Sequence, residues 1–221
     1  MQWAAIIESN RAALLRVVVA LLDLAGLTED GKMRRQLRNY LTRILRPAES
    51  AARRLIVIAA RDLVVDVRPS RSVIGASGAR QRGRSPKLTD GTKTAFPLLD
   101  PLKNFAPRRR YSRSVPRILF LDGPTPPPLP PIPSDNDMVD ATGVCRRLAA
   151  VRRALDDIDA QARRLARWRA RRDRKPYRIG RLSPMRPGYP PGRRKRQIHE
   201  VDEILRNCHL LALHALSPNS S

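Results

Sequence analysis

Aromatic residues supply only 4% of this 221-residue chain, cysteine occurs twice and histidine three times. A core poor in aromatics has to be built from Ala, Val, Leu and Ile, and that composition favours helix packing over a sheet. Cys145 and Cys208 stand far apart, and two cysteines form neither a disulfide framework nor a four-thiolate zinc site. Such sparse use fits a reducing compartment. The phosphate-loop motif is missing too. The glycines at 75–83 lack the Lys and Ser/Thr that must follow, so that stretch reads as a flexible linker. No nucleophile, base and acid are spaced so as to suggest a triad. The chain is therefore expected not to be an enzyme, with no catalytic residue, no cofactor, no metal site and no small-molecule substrate. Long uncharged runs are also lacking. The most apolar stretch, 12–27, contains Arg16 and Asp23, whereas a membrane span needs about 20 nearly uncharged residues. The N-terminal stretch has no basic region before its apolar run and no small-residue cleavage site, so a signal peptide is not expected and the expected location is cytoplasmic.

Positive charge, by contrast, is abundant. Forty-four Lys and Arg face 20 Asp and Glu, a formal net charge of +24. The excess is spread along the chain rather than gathered in one tail. Self-repulsion of that size points to a polyanionic partner, of which nucleic acid is the abundant example. Thirty-eight of the basic residues are Arg, the side chain better suited to bidentate phosphate contact and base stacking. Arg, Ala, Pro and Gly also share GC-rich codons, a second explanation for the preference of Arg over Lys. It does not account for the net charge left behind.

Hydrophobic spacing predicts a mainly α protein: small helical bundles with one long heptad-patterned helix and extensive disordered Pro/Arg-rich linkers. Residues 1–67 read as an N-terminal helical region of three helices with a corner, or a kink, at Pro47. The first runs over 3–25 and ends at Gly26. Its polar stripe of Gln2, Ser9, Arg16 and Asp23 is so narrow that the helix is expected at the centre of a bundle or in a dimer seam. The second is expected to start at Thr28, with Met33, Leu37, Tyr40, Leu41, Ile44 and Leu45 on one face and Arg34, Arg35, Arg38, Arg43 and Arg46 on the other. Residues 68–137 form a Pro/Arg/Gly-rich linker with a polyproline tract at 124–133 and two apolar islands, 96–105 and 115–121, fit to dock on the core. In 138–175, Val144, Leu148, Val151, Leu155, Ile158, Ala162 and Leu165 alternate at spacings of four and three, which predicts one long helix over 141–172 with a coiled-coil or hairpin seam. A basic Pro/Gly linker, 176–197, leads to an amphipathic helix within 198–217, expected to pack on the heptad seam.

Two clusters carry the nucleic-acid reading. The first is Arg163, Arg164, Arg167, Trp168, Arg169, Arg171, Arg172 and Arg174, with Lys175 after them. A helix with cations around its girth and one indole can neutralise phosphates and stack on an unpaired base. The opposing reading is a solvated helix end whose cations complement the dipole. The second is Arg193, Arg194, Lys195 and Arg196, preceded by Arg186, Pro187, Gly188, Tyr189, Pro190, Pro191 and Gly192. This stretch resembles a degenerate AT-hook, with Tyr189 where the second core Arg belongs; a plain basic linker fits it as well. Arg108, Arg109, Arg110 and Tyr111 would add nonspecific phosphate contacts. His199, Cys208, His209 and His214 crowd into 16 residues. On a helical wheel, however, Cys208 faces the apolar side and the histidines turn away from it, so they are not read as a metal site.

The stretches 46–61, 97–103, 161–173 and 199–205 together resemble a family of uncharacterised bacterial proteins of similar size and layout. The resemblance implies a bacterial cytoplasmic origin and supplies no activity or site residue. From the residues, the expected function is non-enzymatic association with DNA or RNA through Arg clusters, largely without sequence specificity. The alternatives are a structural or adaptor protein acting through helix–helix contacts, as a homodimer or with a helical partner, and, less favoured, adsorption to anionic membrane.

Overall fold

The computed structural model describes residues 2–26, 31–66, 95–102, 134–174, 181 and 183–217. The polyproline tract, the expected helix start at Thr28, the glycines at 75–83, the island at 115–121, the basic cluster at 108–111, Lys175 and most of the expected disordered linker lie outside the described residues.

Among the described residues the protein is a small, mainly helical bundle with one two-stranded ribbon: α1 (Trp3–Ala25), β1 (Lys32–Arg34), α2 (Arg35–Ala59), β2 (Met138–Asp140), α3 (Thr142–Asp156), α4 (Ile158–Asp173) and α5 (Glu200–Leu216). The ribbon was not expected. Residues 32–34 leave the predicted helix to pair antiparallel with 138–140, Met33 opposite Val139, and this turns Met33 into the core. The ladder runs on into the helix start: the Arg35 and Gln36 amides donate to the carbonyls of Asp137 and Asp135 at 2.9 and 3.0 Å. Two of the orphan donors of the α2 N-terminus are thereby satisfied without a side-chain cap.

Of the two readings at Pro47, a corner between two helices or one helix through it, the structure has the second: α2 runs unbroken through Pro47. Proline removes one amide and leaves the carbonyl four residues back without its donor. That carbonyl, on Arg43, accepts from Arg194 Nη2 at 2.6 Å. Beside it, Gly192 has φ +84°, and a Cβ there would stand 2.7 Å from the Pro47 nitrogen. The 192–194 segment thus seats directly on the proline and repairs the ladder from outside.

The centre of the bundle is α2, not the all-round apolar α1. Every residue from Pro47 to Ile58 is buried, and α1, α3, α4 and α5 all pack against this helix. Small Ala48, Ser50, Ala51 and Ala52 let neighbouring backbones approach, whereas α1 leaves Val19 and Leu24 exposed.

The heptad stretch is two helices rather than one. Asp157 leaves helical geometry (φ −131°, ψ 71°) and its carboxylate accepts from the Ala160 amide at 2.9 Å, capping α4. Arg11 of α1 takes the carbonyls stranded at the end of α3, Leu155 at 2.6 Å and Asp156 at 3.2 Å. Val144, Leu148, Val151, Leu155, Ile158, Ala162 and Leu165 are all buried within the chain's own core. The seam is therefore internal and is not a surface offered to a second coiled-coil strand. Nor does α5 pack chiefly on that seam. It lies mainly against α2, and then against α1.

Residues 95–102 dock as an extended piece, with Phe96 and Leu98 in the core. Asp100 holds them there. It is 1% exposed and accepts from Arg53 Nε at 2.9 Å and from Arg54 Nη1 and Nη2 at 2.8 and 2.6 Å. The Asp100 carbonyl accepts from Arg181, and its amide donates to the Pro184 carbonyl at 2.9 Å. Burial alone would raise the Asp100 pKa, but the bonds from Arg54 and the charges of Arg54 and Arg53 hold it below the ordinary value. For Arg53 burial prevails over the attraction of Asp100 and Glu49, and its pKa is lowered.

Candidate nucleic-acid interface

The α4 cluster divides into two populations. Arg164 Nη1 donates to the Phe96 carbonyl at 2.8 Å, and Arg169 Nη1 to the Ala60 carbonyl, just past the end of α2, at 2.9 Å. Arg172 pairs with Asp173 at 2.7 Å and lies over the Trp168 ring, 5.5 Å from its centroid. Trp168 is partly buried against the core. Arg164, Arg169 and Trp168 fasten the helix to the bundle, while Arg172 is held by its own helix. Burial also lowers the Arg169 pKa, with the neighbouring Arg172 charge adding to the effect.

Arg163, Arg167, Arg171 and Arg174 are different. All four are exposed. Their spacing of four, four and three residues puts them on one face of α4 and its last turn, a stripe about 16 Å long at about 1.5 Å per residue. Unlike Arg164, which is exposed as well, none of these four side chains takes part in the hydrogen bonds, ion pairs or ring contacts of the described residues. Asp159, one turn before Arg163, stands on the same face.

The second cluster is not a free hook. Gly188 and Gly192 have φ +75° and +84°, conformations open to glycine that turn the chain back on itself twice. An extended Arg-Gly-Arg core is therefore absent. Arg194 is occupied by the Arg43 carbonyl and lies 3.7 Å from the Asp202 carboxylate. The Arg193 guanidinium sits 3.7 Å above the Tyr189 ring. Lys195 and Arg196 are exposed. The two clusters attach to α2 at Ala60 and Arg43, 17 residues and roughly 25 Å apart on one helix axis, so they are separate surfaces.

Between the 189–197 segment and α5 runs a cleft of about 550 Å³, lined by Tyr189, Arg193, Lys195, Arg206 and His209 above an apolar floor that includes Leu205 and Leu213. Tyr189, His209 and Leu213 also line a second, more apolar hollow of about 460 Å³ beside Met185 and Pro187. Burial, with Arg54 next, pushes the His209 pKa down. Sequence reasoning did not single out this cleft or the buried Arg53, Arg54 and Asp100. The available signal was the placement of Asp202, Arg206, His209 and Leu213 at helical intervals along one side of α5.

The remaining chemistry-bearing residues have structural partners. His199 caps α5 through Nδ1, accepting from the Val201 amide at 3.2 Å. His214 packs against Trp3 with centroids 5.8 Å apart. Buried Cys208, whose pKa is pushed up to about 12 by burial, contacts Asn10 Oδ1 at 3.6 Å. Among the described residues no group of three or more His, Cys, Asp or Glu side chains is placed to hold a metal ion, and no helix is long and apolar enough to cross a membrane. No family model, curated protein or solved structure matches the chain.

Proposed function

We propose that this chain associates with DNA or RNA through its charge, with the α4 stripe as the principal contact. The observation that carries the reading is the partition of the α4 arginines. Core carbonyls, Asp173 and Trp168 engage Arg164, Arg169 and Arg172, while Arg163, Arg167, Arg171 and Arg174 remain exposed along one face. A stripe of about 16 Å lies alongside about five phosphates of one strand, which are spaced at about 3.4 Å along the axis. Lys195 and Arg196 add charge on a second surface. Nothing in this arrangement reads base edges, so the association is largely independent of sequence. Trp168, packed inward, is not a stacking platform in this reading. The rival reading, an adaptor acting through the heptad seam and the apolar α1, loses the buried heptad positions but keeps the exposed Val19 and Leu24 of α1.

Fluorescence anisotropy of nuclease-treated protein with labelled duplex DNA, single-stranded DNA and RNA over a salt series tests the proposal. The expected result is log affinity falling linearly with log salt, with a slope of roughly −3 to −4 from the stripe alone. No binding to any of the three at low salt would overturn it.

A further inference from the structure

The cleft between the 189–197 segment and α5 combines features that the α4 stripe lacks. It is concave and of a size that suits a small ligand, about 550 Å³. Its rim carries the cations Arg193, Lys195 and Arg206. An aromatic ring, Tyr189, stands 68% exposed with Arg193 stacked on it, so a planar platform is already assembled. Inside, Asp202 has a side chain only 3% exposed. One of its oxygens accepts from the Ile198 and His199 amides. The other, Oδ1, is buried without a partner, as is His209 Nδ1, and both residues line the cleft. Leaving such groups unpaired is costly, and a ligand that supplies an N–H or O–H donor would relieve it. The adjoining hollow, sharing Tyr189, His209 and Leu213, offers apolar room beyond the platform.

We infer that this cleft binds a nucleotide unit: a phosphate against Arg193, Lys195 and Arg206, a base stacked at Tyr189, and a base amino or sugar hydroxyl group donating to Asp202 Oδ1. Each part of that ligand answers a separate feature. An inorganic anion would leave Tyr189 and Asp202 unused, and a purely apolar ligand would leave the cations and the free carboxylate oxygen unsatisfied. Bases stack on tyrosine rings and on arginine planes alike, and Tyr189 with Arg193 presents both. The cleft lies on α5 and its preceding segment, apart from α4. It therefore stands or falls independently of the phosphate contacts proposed for the stripe.

Calorimetric titration of the full chain with AMP, CMP, GMP and UMP in turn tests this inference, with inorganic phosphate and a tetranucleotide as the other probes. At least one mononucleotide is expected to bind once per chain and more tightly than phosphate. Tyr189→Ala, at an exposed position, is expected to weaken it roughly tenfold, and Lys195→Gln with Arg206→Gln to weaken it and flatten its salt dependence. Asp202→Asn is expected to alter the order of preference among the four bases. If only the tetranucleotide binds, and does so through Tyr189, the nucleotide unit belongs to a strand and the assignment of the cleft stands. Absence of saturable binding by every nucleotide probe, or binding that Tyr189→Ala leaves unchanged, overturns it. So does dimerisation that Leu213→Glu abolishes in a protein that takes up no nucleotide, because a second copy would then fill the cleft. Replacement of the four stripe arginines by Gln is expected to leave mononucleotide binding intact, so failure of the cleft and failure of the stripe are told apart.

Discussion

The second half of α2 and the outer face of α4 are both arginine-bearing helix, and they put the same side chain to opposite uses. Arg53 and Arg54 are 4% and 0% exposed and close on Asp100. Arg163, Arg167, Arg171 and Arg174 face solvent. Between these extremes lie arginines that serve as donors for stranded carbonyls: Arg11 at the end of α3, Arg169 at the end of α2, Arg194 at the gap left by Pro47 and Arg164 on the docked strand. A core poor in large side chains leaves many irregular backbone ends, and a long planar donor can reach them from a neighbouring element. Part of the formal charge of +24 is thus taken up inside the fold, while among the described residues exposed cations stand on α4, on and just before α2 (Arg34, Arg38, Arg43 and Arg46) and around Lys195 and Arg196.

The comparison is broken most severely at Asp100. Asp100→Asn leaves the buried Arg54 guanidinium without its counter-charge and Arg53 with Glu49 alone, and is expected to cost about 3 to 5 kcal/mol in chemical denaturation, with the 95–102 segment released. The acid limb of stability checks the same group. Its folded pKa lies below the ordinary 3.8, so its contribution is full above about pH 4 and is lost as pH falls through the lowered value. The Asp100→Asn protein should lack that limb. Next in size is Gly192→Ala, where a positive φ and a contact with the Pro47 backbone predict a loss of about 1 to 3 kcal/mol and a local loosening at Arg43. Amide exchange near Pro47 would report it. A smaller effect is kinetic: with Cys208 buried at 0% exposure and its thiol pushed up to about 12, the partly exposed Cys145 should label first with a thiol reagent. In Asp100→Asn the interval between the two should narrow. Smallest of all for stability is the conversion of a single stripe arginine to Gln, expected to change it by no more than about 0.5 kcal/mol.

Much of the fold is legible in the residues, because burial leaves a period. The heptad positions Val144 to Leu165 are all core, and most of the apolar faces of α2 and α5 point inward as their spacing requires, with Tyr40 and Leu216 left exposed. The break at Asp157 escapes the period because Leu155 and Ile158, three apart, stay on one face across it. Its only local sign is an Asp with Asp159 two residues later, the marks of a helix start. A helix continuing through Pro47 is one of the two readings open there, but the donor that satisfies the Arg43 carbonyl, Arg194, lies 151 residues beyond Arg43 and no local pattern shows it. Burial of Arg53 and Arg54 likewise depends on Asp100, 46 residues beyond Arg54. Within the candidate site, the arginine clusters are visible as composition. Which members are free and which are fastened is decided by carbonyls elsewhere in the fold, so the sequence presents them as equals. The strand β1 was hidden because Met33 fits a helical face and a strand alternation equally well.

The central claim is that arginines of one helix divide into fasteners and free contacts, and one matched pair of variants tests it. Anisotropy over a salt series should be run on the Arg163→Gln, Arg167→Gln, Arg171→Gln, Arg174→Gln protein and on Arg164→Gln, Arg169→Gln, with an unfolding curve for each. The account predicts that the first keeps wild-type stability to within about 2 kcal/mol while its log–log salt slope shrinks by roughly 3 to 4. The second should unfold more easily and, while folded, retain the wild-type slope to within about one contact. Equal slopes in the wild type and the stripe variant, or a stripe variant that fails to fold, would contradict it.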